Sequence, residues 1–470
     1  MTEREPGPLS TPSSPTLPPH WRTALVIGLG ASGVAAASLL LRLGLQVRAY
    51  DRNPQATLPA GATDLRGLET PPAAALAGVD LIVLSPGVPP GPTRALAREH
   101  AGNAEIVGEL GLGLRLVFER HLPPLQPVPL VLITGTNGKS TVTALTGELL
   151  REGGMRPFVG GNLGTPLCTA LLDVLEGRAA PFDALVLECS SFQLETLPDV
   201  PNDVGMVLNV TPDHLDRYPS MEAYADTKAE VFRNLVPGGL ALLDEGGEFT
   251  ARIAPQRTDV RVLRIGEAGH AYVEGEGSGR TLVLGDERYD RAQLRLPGRH
   301  NASNALFALA AARHFGVGQA ACEAALSRFA GLPHRMVLVR ELDGVRYYDD
   351  SKATNVASAL ASLGGLDERF VLIAGGRGKG DDLAPLGALL HRRGRGLVSI
   401  GETAAQFHAL AQGVLPAAMA PDLTAAVTLA RQMAQPGDAI VLAPACASYD
   451  QFRNYAHRGD VFAAAVRALA

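Results

Sequence analysis

VLITGTNGKSTVT, residues 131–143, decides the fold. An apolar run from Val131 to Ile133 breaks into Gly135-Thr136-Asn137-Gly138, and Lys139-Ser140-Thr141 then open a helical pattern. A strand, a glycine-rich turn and a helix N-terminus together form an anion cradle. Backbone N–H groups and the positive end of the helix dipole point there at phosphate oxygens. Lysine adds a point charge for the outer phosphates, and the hydroxyl after it is placed to ligate Mg2+. The usual spacing sets a glycine at position 133, where this chain has Ile133, so the loop is a shortened variant. An ordinary strand–helix turn can hold as many glycines, but it has no need of a lysine and two hydroxyls directly after them. The stretch predicts binding of a nucleoside triphosphate.

Upstream, ALVIGLGASGVAAASLLLRLG and QVRAYD predict strand, tight turn, helix and strand, with Gly28, Gly30 and Gly33 in GxGxxG spacing and Asp51 at the end of the second strand. That is a dinucleotide-type fingerprint, which accepts a diphosphate without saying which nucleotide supplies it. A further strand, VDLIVLSPGV, ends in Ser85-Pro86-Gly87, and the segment closes at the proline-rich HLPPLQPVP, residues 121–129. Downstream, strand DALVLE runs into Glu188-Cys189-Ser190-Ser191-Phe192-Gln193-Leu194, and VGMVLNV into TPDHLDRY, residues 211–218. Residues 244–296 are short, glycine-punctuated and alternating, which predicts a small antiparallel insertion. His300, Asn301 and Asn304 then open a helix, the two asparagines one turn apart. After GLPHR, residues 331–335, the strands GVRYYDDS, RFVLIAGG, GLVSIG and DAIVLAPA alternate with helices, a second doubly wound pattern. Its strand ends carry three polar clusters, Asp350-Ser351-Lys352-Ala353-Thr354-Asn355, Gly375-Gly376-Arg377-Gly378-Lys379 and Ala445 to Asn454.

At about 150 residues per domain, 470 residues predict about three domains. Hydrophobic residues make up 46% and aromatics only 5%, so the cores are built from Ala, Leu and Val. Lys and Arg total 42 against 48 Asp and Glu, a net charge of −6 with no long basic run, which argues against extended nucleic-acid binding. Four dispersed cysteines, Cys168, Cys189, Cys322 and Cys446, form no CxxC pair and predict a reduced, cytoplasmic protein without disulfides or zinc. No apolar run approaches the roughly 18–20 residues of a membrane span. Residues 1–20, rich in Pro, Ser and Thr and lacking a signal-peptide core, predict a disordered tail.

γ-Phosphoryl transfer is mostly positioning and charge neutralisation, and the strand ends offer groups for both. Glu188 is either a metal carboxylate or a solvated strand-end acid. His214, between Asp213 and Asp216, is either a second metal ligand or a helix-start residue. Lys228 lies on a polar helix, where a lysine is ordinarily solvated. Lys352 in Asp350-Ser351-Lys352 sits unusually close to a strand end. Lys379 lies among four glycines whose spacing is wrong for a phosphate loop, so a small anionic substrate suits it better.

Seven motifs in order, GTNGKST, ECSSFQLE, NVTPDHLDRY, PGRHNASNA, LPHR, DDSKATN and LAPACASYDQFRNYAHRG, resemble the Mur ligases of peptidoglycan synthesis. The resemblance runs from Thr23 to the C-terminus. DSKATN together with PACAS and DQF resembles the D-glutamate-adding branch, and the DNPR motif of the diaminopimelate-adding branch is absent. The resemblance implies an α/β protein of three domains. These are a Rossmann-like UDP-substrate domain at 21–124, a central P-loop ATPase-type domain with the antiparallel insertion at 125–330, and a Rossmann-like amino-acid domain at 331–470. It implies ATP held by Gly135, Thr136, Asn137, Gly138, Lys139, Ser140 and Thr141 with Asn301 and Arg335. Mg2+ would be held by Ser140, Glu188, His214 and a carbamylated Lys228. UDP-N-acetylmuramoyl-L-alanine would meet Gly30, Ala31, Ser32, Asp51, Arg52, Ser85, Gly87, Asn162 and Ser190. D-Glutamate would be gripped by Thr354, Lys379, Ser448 and Tyr455. Lys139, Lys352, His214 and Lys228 would serve the chemistry, through an acyl phosphate, in a cytoplasmic monomer. Tyr455 stands where the family pattern has phenylalanine, and Arg377 at a variable position. A dehydrogenase would explain GxGxxG and Asp51 but leaves GTNGKST idle. A nucleotide switch explains GTNGKST alone. A folate-extending relative shares the later domains but does not explain the first.

Overall fold

A computed structural model describes residues 17–119, 122, 128–213, 217–266, 269–275, 280–294, 296, 298–378 and 380–469. The expected tail therefore lies outside the described residues up to residue 16, and so do His214 and Lys379. The chain divides into two compact units, one of residues 1–271 and 307–321, the other of residues 272–306 and 322–470.

The first unit holds two sheets. In the first, five strands run in the order Thr63–Asp64, Gln46–Tyr50, Thr23–Ile27, Leu81–Leu84, Glu105–Gly108, all parallel. The strand order reverses beside Thr23–Ile27, and a ligand crevice opens at such a switch point. Gly28 and Ser85 meet there. Gly28 has φ +89°, and a Cβ on it would stand 2.8 Å from Ser85 Cβ, while Ser85 Oγ donates to Gly28 O at 2.8 Å. Gly33 packs its helix, Ala31–Arg42, onto the turn, since a Cβ there would stand 1.8 Å from Gly28 O. At Gly30 a Cβ would meet nothing within 4 Å, which leaves that backbone open to a ligand.

The second sheet is centred on Leu130–Thr134. Within this unit its order is Arg261–Ile265, Leu235–Asp244, Asn202–Val207, Leu130–Thr134, Ala184–Glu188, Pro157–Gly161, again parallel throughout. Every residue of Leu130–Thr134 and Ala184–Glu188 is buried, as strands covered on both faces must be. The antiparallel expectation for 244–296 holds for one hairpin and not for the first strand of the range. Arg261–Ile265 adds in parallel, because the sixteen-residue connection from Asp244, carrying the helix Glu248–Arg252, is long enough for a crossover. The hairpin Thr281–Leu284 with Glu287–Asp290, in the second unit, is antiparallel.

The second unit's main sheet runs Val337–Leu342, Val345–Asp349, Ala439–Leu442, Phe370–Gly375, Gly394–Ile400, Ala417–Met419, with only the first pair antiparallel. The period of two divides its core. Phe370, Leu372, Val441 and Leu397 face one apolar layer, while Val371, Ile373, Ile440 and Val398 face the other. The three polar clusters predicted at strand ends leave three adjacent strands, Val345–Asp349, Ala439–Leu442 and Phe370–Gly375.

The GxGxxG turn gives a direct test. Gly33→Ala must move backbone and should lower the melting temperature of the first unit by several degrees, while Gly30→Ala, at a helix N-cap, should cost no more than about 1 kcal/mol. Thermal unfolding of both variants decides it. Equal effects would contradict the packing described.

Candidate active site

The phosphate loop leaves Leu130–Thr134 through Gly135, at φ +151°, and enters the helix Lys139–Glu152 through Gly138, at φ +84°. Left-handed backbone of this kind is cheap only for glycine. The neighbouring strand end locks it. Asn209 Oδ1 accepts from Asn137 N–H at 2.8 Å, Asn209 Nδ2 donates to Asn137 O at 3.1 Å, and Thr136 N–H donates to Asn209 O at 3.0 Å. Thr136 Oγ1 accepts from Thr211 N–H at 3.1 Å. Lys139 Nζ turns back over the loop and donates to Gly135 O and Thr136 O, each at 2.8 Å. Ser140 and Thr141 are buried in the first helical turn. The cradle is thus set before any ligand arrives.

Two buried ionisable groups flank it. Glu188 is 2% exposed. Its Oε1 accepts from Asn162 Nδ2 at 2.7 Å, and its Oε2 is buried with no hydrogen-bond partner among the described residues. A buried carboxylate oxygen without a donor is costly unless a cation meets it. Lys228 is 1% exposed, on the helix Met221–Ala229, with Nζ 4.3 Å from the centre of the Tyr224 ring. Burial holds its amine well below the ordinary lysine range, the charge of Lys139 adds to this, and Asp213 opposes it. The polar pattern around Lys228 predicts a solvated ammonium, so the structure corrects that expectation. The helix is polar, but Tyr224, Ala225 and Lys228 all face inward.

Other expected contacts of this unit carry structural duties. Asp51 Oδ2 accepts from Leu29 N–H at 2.6 Å and Oδ1 from Asn53 N–H at 2.8 Å, tying the glycine turn to the next strand. Ser190 and Gln193 form a reciprocal capping box on the helix Ser191–Leu194, which accounts for Ser190 without a ligand. Ala31, Arg52, Gly87 and Asn162 are exposed, and Ser32 is half-buried.

In the second unit the three strand-end clusters converge on one residue absent from the expected set. Arg458 is fully buried in the helix Tyr455–Arg467. Its Nε donates to Ser351 Oγ at 3.0 Å, one terminal nitrogen to Ser351 O at 2.9 Å and the other to Cys446 O at 3.1 Å. Ser351 Oγ in turn donates to Tyr455 O at 2.7 Å. A Cβ on Gly376 would press within 3.3 Å of the same guanidinium. Burial draws its pKa down to about 10, opposed by Cys446, Asp450 and Asp349. Gly459 is explained alongside, since a Cβ there would stand 2.1 Å from His334 Nδ1, which pairs with Asp349 Oδ2 at 2.7 Å. Only the NYAHRG motif itself carried a signal for this pair.

Around this hub Lys352 Nζ lies 3.9 Å from the centre of the Tyr455 ring, a cation–π contact that aims the ammonium. Ser448 is buried, and Thr354 is half-buried. Asn304 Nδ2 donates to Asn301 Oδ1 at 3.2 Å, so the two asparagines do share a face. Arg335 is flanked by His334 at φ +61° and Met336 at φ +48°, and Ala445 stands at φ +55°. Non-glycine residues in this region cost about 1–3 kcal/mol each and cluster where function demands the geometry. Burial pushes Asp350 up to about 7, opposed by Ser362, Arg335 and Met336 N–H and helped by Asp349, and its Oδ2 has no partner among the described residues.

Asp350 yields a pH test. A carboxyl whose folded pKa is raised holds more protons folded than unfolded, so its stabilising effect is complete below the unfolded pKa of 3.8 and is lost as pH rises to about 7. Denaturant unfolding at pH 5 and pH 8 should show wild type losing on the order of 1–4 kcal/mol more than Asp350→Asn over that interval. Identical losses would contradict the buried assignment.

Known proteins resemble this chain in sequence and fold. Residues 133–312 match the Mur ligase middle domain and residues 334–446 the Mur ligase glutamate ligase domain. The chain is 42% identical to the UDP-N-acetylmuramoylalanine–D-glutamate ligase of Aromatoleum aromaticum over 95% of this chain and 97% of that one. To the enzyme of the same name from Myxococcus xanthus it is 39% identical, over 97% and 100%. Among solved structures, the UDP-N-acetylmuramate–alanine ligase of Thermotoga maritima superposes with a TM-score of 0.60 at 16% identity, covering 95% of this chain and 99% of that one. The MurF ligase of the same organism, solved with ADP, gives 0.58 at 16%, covering 85% and 97%. With whole-length relatives near 40% identity and the ligase fold in both units, the chain belongs to the Mur ligase family.

Proposed function

We propose that this protein is an ATP-dependent ligase that joins D-glutamate to UDP-N-acetylmuramoyl-L-alanine in the cytoplasm, acting as a monomer. The observation that carries the reading is the phosphate loop held by Asn209, with the orphaned oxygen of Glu188 and the buried amine of Lys228 beside it. The names of the full-length relatives supply the substrate pair. No helix among the described residues is long and apolar enough to cross a membrane, in keeping with soluble substrates.

The acceptor's terminal carboxylate attacks the γ-phosphorus of ATP, the bond to the β–γ bridging oxygen breaks, and ADP leaves an acyl phosphate. Lys139 exchanges its two loop carbonyls for phosphate oxygens and stabilises the charge that grows on them. The amine of D-glutamate then attacks the acyl carbon, loses a proton, and expels phosphate. Lys352, aimed by Tyr455, meets the anionic groups of that step, and Thr354, Lys379 and Ser448 hold the amino acid. On the nucleotide side Asn301 and Arg335 bind ATP. Gly30, Ala31, Ser32, Arg52, Gly87 and Asn162 hold the UDP substrate, with Asp51, Ser85 and Ser190 shaping the walls. The crevice that grips D-glutamate must reach the acyl phosphate during turnover and exclude water from it.

The residues present fit Mg2+. The described residues contain no group of three or more His, Cys, Asp or Glu able to hold a metal. Mg2+ ordinarily takes one or two protein carboxylates and completes its shell with phosphate oxygens and water. Glu188 Oε2 and Ser140 Oγ are the donors offered here, with His214 as a further candidate. Bound Mg2+ neutralises charge on the outer phosphates. Burial lowers the amine pKa of Lys228, which favours the unprotonated form that reacts with CO2. Its nitrogen bonds to the carbon, one proton is released, and a buried amine becomes an anionic carbamate oxygen donor.

Phosphate release from Mg-ATP and UDP-N-acetylmuramoyl-L-alanine should require D-glutamate and fail with L-glutamate, L-lysine or diaminopimelate. Release with none of the four would remove the ligase reading. Lys139→Ala should lower the rate by at least about a thousandfold. In 13C-bicarbonate, a carbamate carbonyl resonance should be present in wild type and missing from Lys228→Ala; its absence from wild type would dismiss the modification.

A further inference from the structure

The helix Leu167–Leu175 starts directly behind the GGNLGTP loop, and its N-cap is Pro166, which offers no side-chain hydrogen bond. Its first N–H groups would be open ends. A cap reaches them from elsewhere. Cys168 N–H donates at 2.7 Å to Oε1 of Glu109, 59 residues upstream. Glu109 opens the helix Glu109–Phe118, which follows the last strand of the five-stranded sheet. The Cys168 thiol donates to Glu109 O at 3.4 Å, and Leu167 packs where a Cβ on Gly113 would stand 2.7 Å away. The two helices are therefore fastened end to side across the first unit.

Glu109 is 1% exposed, and among the described residues no arginine or lysine compensates it. Burial pushes its carboxyl up to about 7, opposed by hydrogen bonds from Cys168 and Leu167. An apolar side chain would fill this place without that penalty. What an apolar side chain lacks is an acceptor for the helix.

The loop between the cap and the sheet is short. At its other end Asn162 N–H donates to Glu188 O at 2.9 Å and Asn162 Nδ2 to Glu188 Oε1 at 2.7 Å. Gly161, at φ +93°, admits this approach, since a Cβ would stand 2.5 Å from Glu188 O. Residues 161–166 are thus pinned by Glu188 on one side and Glu109 on the other.

We propose that Glu109 is a positioning residue for the acceptor substrate: it caps Leu167–Leu175 from the neighbouring sheet's helix and so sets the loop bearing Asn162 against Glu188. This deepens the ligase reading, on which the role of Asn162 rests. Glu109 itself touches no reacting atom.

The test uses the full-length chain with Glu109→Ala, Glu109→Gln and Glu109→Asp. It reads KM for each substrate together with amide hydrogen exchange over residues 161–169. Glu109→Ala should raise KM for the UDP-linked acceptor at least about tenfold and leave KM for ATP and D-glutamate within about threefold. Exchange at Cys168 should quicken by at least about tenfold. Glu109→Gln keeps the acceptor oxygen and should restore both to within about threefold of wild type, whereas Glu109→Asp, one methylene short, should behave like the alanine variant. If Glu109→Ala fails to fold, the aspartate and glutamine variants carry the same comparison. Unchanged acceptor KM and exchange in the folded Ala or Asp variant would overturn the proposal, and so would a glutamine variant as impaired as alanine. Should wild type show no D-glutamate-dependent turnover, the ligase reading falls, and the exchange at Cys168 still decides whether Glu109 is the cap.

Discussion

Ionisable groups removed from water without an ion-pair partner in direct contact are the constraint on which both units depend. Glu188 presents a bare oxygen beside the phosphate loop, Lys228 a desolvated amine, Asp350 a carboxyl held half-protonated near neutrality, and Arg458 a guanidinium surrounded by carbonyls. Each such burial costs several kcal/mol in isolation. Glu188 and Asp350 stand at the carboxyl ends of parallel strands, where helix N-termini and open backbone N–H groups gather. A fold that merely needed stability would place apolar residues at these points. The observed choice makes sense for a surface that a polyanionic substrate and its cation complete.

The two units solve the problem differently. Beside the phosphate loop the Glu188 Oε2 atom has no hydrogen-bond partner among the described residues, and Lys228 Nζ lies over the Tyr224 ring. In the second unit Arg458 spends its donors on Ser351 and Cys446, and the close approach of Gly376 brings the third strand-end loop against it. That guanidinium rigidifies the crevice without occupying it. Left-handed backbone at His334, Met336 and Ala445 stores strain at the same place, and the strand that leads to Ala445, Ala439–Leu442, is buried throughout.

Much of this was legible in the sequence, and the misses have physical causes. Apolar runs ending in glycine located the phosphate loop and the Gly28 turn, because only glycine permits φ near +90° at Gly28 and Gly138. The polar clusters after GVRYYD, RFVLIAGG and DAIVLAPA located the second crevice, since parallel strands must be apolar until they end. Lys228 was hidden because a polar helix does not announce which of its faces is buried. Arg458 was hidden because, Ser351 Oγ apart, its partners are main-chain carbonyls, which leave no trace in the side-chain pattern. Pairing direction beyond Asp244 depends on whether a connection crosses the sheet, and alternation alone cannot tell that. Asp51 and Ser190 fit a ligand-binding pattern, yet each is engaged by local backbone.

The central claim is that phosphate passes through the acceptor's carboxylate before the amide forms. The most direct measurement supplies UDP-N-acetylmuramoyl-L-alanine with 18O in its terminal carboxylate, together with Mg-ATP and D-glutamate, and weighs the phosphate released. One labelled oxygen per phosphate, with the other retained in the new amide carbonyl, is the predicted result. Unlabelled phosphate would mean that ATP is cleaved by water and that the acyl phosphate route is wrong.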